Sequence, residues 1–471
     1  MIAVYGGLEQ AGAVQWLIAG SINAALVAYL ALFPGLFAVI VRWAAARWGA
    51  VALLTAPLVW VATEMGRTYI FTGFPWVLLG YSQTSVLPIA QWASVFGVYG
   101  VSALVVSVSA GLAMALQSVV APVSPRASFR RDDATAGSPV PPRAAFWRFA
   151  PAVAPLVVVA AVAFWGSIRL QQSALTREGE SVRVGLIQGN VDQGEKWKPA
   201  RADAIFDQYL RMTEEAIRAG AQVVLWPEAS MPFFFEEESA KTDRVRAIAK
   251  QAGVPILVGS DQLERGPQPR FYNAAFVVGP KGETAGVYRK VHLVPFGEYV
   301  PLKDLLFFAA PLVENVGPFS AGTELALLPF GTHRVSTAIC YEIVYPNLVR
   351  RFIANGSELL TTITNDAWFG RTSAPYQHFE QASMRAIENG RYLVRAANTG
   401  ISGVVDPYGR IVTTSQLFEP AVIVSDVRFL QSTTFYTRHG DVFAYASIVV
   451  TFALVVVKPR ARRKMSQKSE I

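Results

Sequence analysis

The chain has 471 residues, of which 52% are hydrophobic and 16% charged, with a net charge of +8 and a mean hydropathy of +0.33. That balance excludes an ordinary soluble protein of this length and indicates a membrane protein. A single cysteine, Cys340, excludes an internal disulfide framework.

Five apolar runs, at 16–41, 50–62, 96–120, 149–168 and 442–457, are candidate spans, because about 20 apolar residues cross the hydrocarbon core. The second is short, closed by Glu64 and Arg67, and loop charge argues that it crosses. Arg42 and Arg47 follow the first run, Arg126, Arg130, Arg131, Arg143 and Arg148 lie between the third and fourth, and Lys458, Arg460, Arg462, Arg463 and Lys464 follow the fifth. If these basic segments are cytoplasmic, all fall on one side only when all five runs cross.

The same count puts Met1 outside the cytoplasm with no basic residue before the first span, which predicts further membrane helices upstream of it. The positive charge is thus topological and faces anionic headgroups, and no nucleic-acid partner is expected. The expected organisation is a membrane region at 1–170 with about four spans and a basic cytoplasmic linker at 121–148, then an extracytoplasmic domain at 171–440. A last span at 441–458 and a basic cytoplasmic tail at 459–471 follow.

Between the last two spans the composition becomes that of a globular domain. Strands are predicted at 182–188, 222–226, 255–259, 272–278, 285–288, 334–339 and 358–363, with helices at 200–219, 242–252 and 376–396. This alternation predicts helices covering β-sheets. The chemically capable residues cluster just beyond strands: Glu228 after Trp226 and Pro227, Lys290 in the run 288–298 (YRKVHLVPFGE), and Cys340 before Tyr341 and Glu342. Loops beyond strand ends are where α/β domains build sites.

Together the three residues describe acyl transfer through a thioester. A thiol with an ordinary pKa near 8.5 is mostly protonated at neutral pH, so it needs a base, and Glu228 supplies one. Lys290 and a backbone N–H after the nucleophile would hold the oxyanion. Taken singly, each has a plainer explanation: a buried thiol, a helix-capping carboxylate, a solvated hairpin lysine.

The order and context of Glu228, Lys290 and Cys340 resemble those of the carbon-nitrogen hydrolase, or nitrilase, superfamily. Within it the chain is most similar to the apolipoprotein N-acyltransferases, through HLVPFGEYVP at 292–301, NDAWFG at 365–370, Gln377 with His378, and TGFPW at 72–76. The resemblance spans nearly the whole chain, although those proteins usually carry more membrane helices at the front. It implies a multi-span α-helical membrane domain joined to an α/β nitrilase-like αββα sandwich. It also implies Glu228, Lys290 and Cys340 as a catalytic triad.

The implied reaction moves an acyl chain from a phospholipid, typically phosphatidylethanolamine, onto Cys340 and then onto the α-amino group of an S-diacylglyceryl-cysteine lipoprotein. Glu298 would support the lysine or the base, Tyr341 and Glu342 would shape the pocket, and Trp197 would contact substrate. Phe74, Trp76 and Tyr81 are expected at the membrane interface, and the loop 302–316 as a lid. The expected setting is the bacterial inner membrane with the domain on the periplasmic side, as a monomer without metal or cofactor. Competing readings are a membrane-tethered amidase, a receptor or transporter with an outer domain, and a cysteine-histidine dyad using His292 or His378.

Overall fold

The computed structural model describes residues 13–120, 150–299 and 319–457. The expected linker at 121–148, lid at 302–316 and basic tail at 459–471 lie outside the described residues. Among those described, Gly20–Trp48, Ala93–Gln117 and Ala150–Thr176 are long and apolar enough to cross a membrane. The second run differs from expectation: it is a 3-10 turn, Ala50–Thr55, followed by the helix Ala56–Tyr69. That helix passes through Glu64 because the carboxylate is buried and accepts the Leu79 N–H at 2.7 Å. The fifth run is the helix Val442–Val456, 15 residues long.

The globular part has two six-stranded sheets. The strands are β1 (Ser181–Gln188), β2 (Val223–Leu225), β3 (Ile256–Glu264), β4 (Arg270–Val278), β5 (Thr284–Arg289), β6 (Leu328–Phe330), β7 (His333–Ile339), β8 (Leu359–Thr364), β9 (Leu393–Ala397), β10 (Gly403–Val405), β11 (Ile411–Thr414) and β12 (Ala421–Arg428). One sheet runs β12-β1-β2-β3-β4-β5 and the other β11-β10-β9-β8-β7-β6. The segments β1-β2-β3 and β7-β8-β9 are parallel.

Alternation along the strands sets the layers. Val223 and Leu225 join Val335, Ile339, Leu359 and Ile363 in the core between the sheets. Val224, Ile256 and Phe276 face outward onto Phe206 and Tyr209 of the helix Pro199–Arg218 and Val245 of the helix Ser239–Ala252. On the far side Ala338, Leu360 and Leu393 meet Val349 and Ile353 of the helix Pro346–Ala354, and Phe379 and Ala382 of the helix Ala374–Asn389. The result is the expected αββα sandwich.

The predicted helix at 376–396 is too long. It ends at Asn389, where Gly390 adopts φ 60° as a left-handed cap, and the fully buried residues after it form β9. The same helix docks the domain onto the membrane helices. Met384 and Ile387 pack with Val61, Met65, Tyr99 and Leu104. The helix Ala93–Val120 is broken at Phe96 and Gly97, the latter at φ 65° and ψ −174°, and Glu388 Oε1 accepts the freed Val98 N–H at 2.8 Å. A side chain at Gly97 would strike the Tyr436 ring, 2.6 Å from an ideal Cβ. Tyr81, expected at the membrane interface, is instead buried beneath this helix and accepts a 2.6 Å hydrogen bond from Arg385 Nη2.

Candidate active site

The parallel segments deliver their polar residues to neighbouring strand ends. Glu228 lies just past β2, Cys340 just past β7, and Asn365 and Asp366 just past β8, while Lys290 follows the antiparallel β5. The Glu228 loop lies directly on β3, since a Cβ on Gly259 would be 2.2 Å from the Pro227 carbonyl oxygen. There the Ser230 N–H donates to the Gly259 carbonyl at 2.9 Å.

Lys290, only 1% exposed, donates to Glu298 Oε1 at 2.9 Å and approaches Glu228 Oε1 at 3.5 Å. Burial works against its charge, but Glu298 and Glu228 outweigh that and hold its pKa above the ordinary lysine value. Asn273 on β4, which nothing in the sequence singled out, ties the two carboxylates together. Its Nδ2 donates to Glu228 Oε1 at 2.7 Å and to Glu298 Oε1 at 2.9 Å. The remaining oxygens accept backbone N–H groups, Glu228 Oε2 from Asn365 and Glu298 Oε2 from Val294, both at 2.8 Å.

Cys340 begins the 3-10 turn Cys340–Val344 with φ 53°, a left-handed conformation rare outside glycine. Burial and the charge of Glu228 raise its thiol pKa, and Lys290 pulls it down. His378 does not form the dyad considered from sequence: its Nε2 faces the Cys340 main-chain carbonyl at 3.2 Å and its Nδ1 faces Asp366. His292 packs on Tyr345, ring centroids 3.9 Å apart, and burial together with Lys290 lowers its pKa to about 4.

Glu342 joins the lysine loop to the cysteine turn. Its Oε1 accepts from Tyr288 OH, Val291 N–H and His292 N–H at 2.8, 2.8 and 3.0 Å, and its Oε2 accepts the Ile339 N–H at 2.8 Å. Burial raises its pKa to about 7 despite those donors. Tyr341 points the other way, stacking with Trp76 and meeting Phe74 at a tilt, both from the membrane-side loop. Trp76 Nε1 also donates to Gln377 Oε1 at 2.8 Å. Trp197 is 49% exposed, and the neighbouring Lys196 is buried. Burial lowers the Lys196 pKa to about 8, while Asp261 and Glu228 oppose that. Among the described residues no cluster of three or more His, Cys, Asp or Glu is arranged to hold a metal ion.

Residues 183–434 match the carbon-nitrogen hydrolase family, and residues 4–111 match the apolipoprotein N-acyltransferase N-terminal domain. An apolipoprotein N-acyltransferase of Geobacter metallireducens is 39% identical over 96% of this chain and 82% of that protein. One from Methylococcus capsulatus is 34% identical over 93% of this chain and 80% of that protein. An amidase from Nesterenkonia sp. is a structural neighbour with a TM-score of 0.43 and 22% identity, covering 57% of this chain and 97% of that one. The chain belongs to the apolipoprotein N-acyltransferase family, with residues 183–434 as its carbon-nitrogen hydrolase domain.

Proposed function

We propose that Cys340 carries a fatty acyl chain as a thioester between a phospholipid donor and the N-terminal amine of a diacylglyceryl-cysteine lipoprotein. The observation that carries this reading is Cys340 on a strained turn just past β7, beside the β8 end whose Asn365 N–H binds Glu228, which in turn meets Lys290. As Sγ adds to the donor's ester carbonyl, Glu228 takes the thiol proton, and Lys290 with the Tyr341 N–H stabilises the oxyanion. Collapse breaks the ester C–O bond, and Glu228 returns the proton to the leaving lysophospholipid. The lipoprotein amine then attacks the thioester carbonyl, the C–S bond breaks, and the amine's proton passes through Glu228 back to sulfur. The donor is phosphatidylethanolamine and the working form a monomer.

Both substrates are lipid-anchored, which suits a domain docked on membrane helices. The aromatic contacts of Tyr341 with Phe74 and Trp76 suit acyl chains entering from that side. With all five apolar runs crossing, the basic segments share the cytoplasmic face of the bacterial inner membrane and the hydrolase domain is periplasmic. Its bounds are then those expected from sequence, 171–440, between the membrane region 1–170 and the last span 441–458.

The test is incubation in vesicles with acyl-labelled phosphatidylethanolamine and no acceptor. A base-labile label on Cys340, discharged onto a diacylglyceryl-cysteine peptide, is the expected result. Transfer that persists in Cys340→Ala would overturn the covalent route, and release of free fatty acid alone would favour an amidase-like hydrolase.

A further inference from the structure

The base and the nucleophile of the proposed reaction stand on different sheets. Glu228 follows β2 of the first, and Cys340 follows β7 of the second, which pairs with β8. Asn365, at the end of β8, reaches across: its N–H donates to Glu228 Oε2 at 2.8 Å. A ladder of amides holds Asn365 in turn. Asn398, just past β9 and only 2% exposed, closes on the main chain of Val191, three residues past β1. Its Oδ1 accepts the Val191 N–H at 2.9 Å, and its Nδ2 donates to the Val191 carbonyl at 2.8 Å.

A backbone N–H only donates and a backbone carbonyl only accepts, so Val191 sets which end of the Asn398 amide points where. The same Nδ2 donates to Asn365 Oδ1 at 3.1 Å, which leaves Asn365 Nδ2 to donate to Gln193 Oε1 at 2.7 Å. Gln193 opens the short helix Gln193–Lys196. Main-chain bonds run alongside: the Asn190 N–H donates to the Asn398 carbonyl at 2.9 Å, and the Asn398 N–H to the Thr364 carbonyl at 3.0 Å. Satisfying Val191 takes only the first two bonds of the Asn398 amide. The third ties them to the residue that holds Glu228.

We propose that Asn398 is a positioning residue for the base: acting through Asn365, it fixes the Glu228 carboxylate of one sheet relative to the Cys340 turn of the other. This inference rests on Glu228 as the base in the reading above and adds to it the side chain that sets its place.

The experiment reads thiol activation without any lipid donor. Cys340 is the only cysteine, so alkylation of the full-length protein in vesicles by iodoacetamide, in which sulfur displaces iodide and its proton passes to Glu228, reports on that residue alone. Per folded molecule, Glu228→Gln is expected to slow alkylation about 100-fold, the lower end of a general base's contribution. Asn398→Ala should slow it about tenfold by misplacing that base. Asn365→Ala, which keeps the N–H on Glu228 but loses the amide, should cost about as much, and the double variant no more than the worse single, because both break one link. Asn398→Asp should rescue nothing, since it still accepts the Val191 N–H but turns an oxygen toward Asn365 Oδ1. A role confined to anchoring Val191 would lower the folded fraction and leave the rate per folded molecule unchanged. That outcome, additive losses in the double variant, or rescue by Asn398→Asp would overturn the proposal while leaving the base in place. A Glu228→Gln protein alkylated as fast as the wild type would overturn the base assignment, and this inference with it.

Discussion

His378 Nε2 lies 3.2 Å from the main-chain carbonyl oxygen of Cys340. A carbonyl only accepts, so Nε2 carries the proton. Burial and the neighbouring Arg395 lower the His378 pKa while Asp366 opposes that, and Nδ1 lies 3.0 Å from both Asp366 Oδ1 and Arg395 Nη2. Arg395 also donates to Asp366 Oδ2 at 2.8 Å, and Thr364 to Asp366 Oδ1 at 2.9 Å. Asp366 is held at about 2: burial opposes its charge, but Arg395 and His378 outweigh it. The proposed nucleophile thus has its strained turn fixed from behind by a fully buried chain of side chains.

His378→Ala should therefore lower the rate of Cys340 thioester formation about 10–100-fold with little change in donor KM, because the ring touches the turn and not the donor. His378→Gln, which restores an N–H donor, should recover most of the rate. Loss expressed mainly in KM, or a Gln variant as poor as Ala, would count against this positioning role.

Glu342 tests a second link. Its carboxylate accepts four donors from two loops, and an amide in its place would turn N–H groups toward some of them. Glu342→Gln should reduce thioester formation about 100-fold or more while the protein still inserts and folds. Single-turnover labelling would check this, and near-wild-type labelling would show that the lysine loop and the cysteine turn are positioned independently.

The three strand-end residues and the layered fold were legible because β-rich runs end where the chemistry begins, and because the run 288–298 is long enough to be distinctive. Other parts were opaque for physical reasons. Asn273 sits inside the buried strand β4, where one polar residue among apolar neighbours carries no periodic signal. Arg385, Arg391 and Arg395 fall inside the predicted helix 376–396 and were not singled out there, yet all three are buried. Arg385 is beside Glu388, Arg391 donates to main-chain carbonyls of Ser357 and Ser432, and Arg395 meets Asp366. Apart from Glu388, three residues from Arg385 on the same helix, those partners come from distant segments, so no local pattern marks them.

Asn273 is expected to matter out of proportion to its silence in the sequence. It holds Glu228 and Glu298 on one amide group, so Asn273→Asp would crowd three carboxylates around Lys290. We expect a loss of about 100-fold or more in thioester formation for Asp, and about tenfold for Ala, which removes the tether without adding charge. Pre-steady-state labelling of purified variants would check the order. An Asp variant more active than Ala would show that the amide does not separate the carboxylates.

Lys196 should make the fold less stable at neutral pH. Burial holds its pKa at about 8 against an ordinary value of 10.5, so between those values the unfolded chain keeps a proton that the folded chain has lost. Stability therefore rises with pH through that window, and below about pH 8 the whole penalty is present. At about 1.4 kcal/mol per pH unit it is of order 3 kcal/mol. Lys196→Met should consequently be more stable than the wild type at pH 7 by about that much, with the difference shrinking toward pH 10.5. Denaturant midpoints in detergent at pH 7 and pH 10 would measure it. A Met variant less stable at pH 7, or a difference that ignores pH, would contradict a charge whose burial costs the fold.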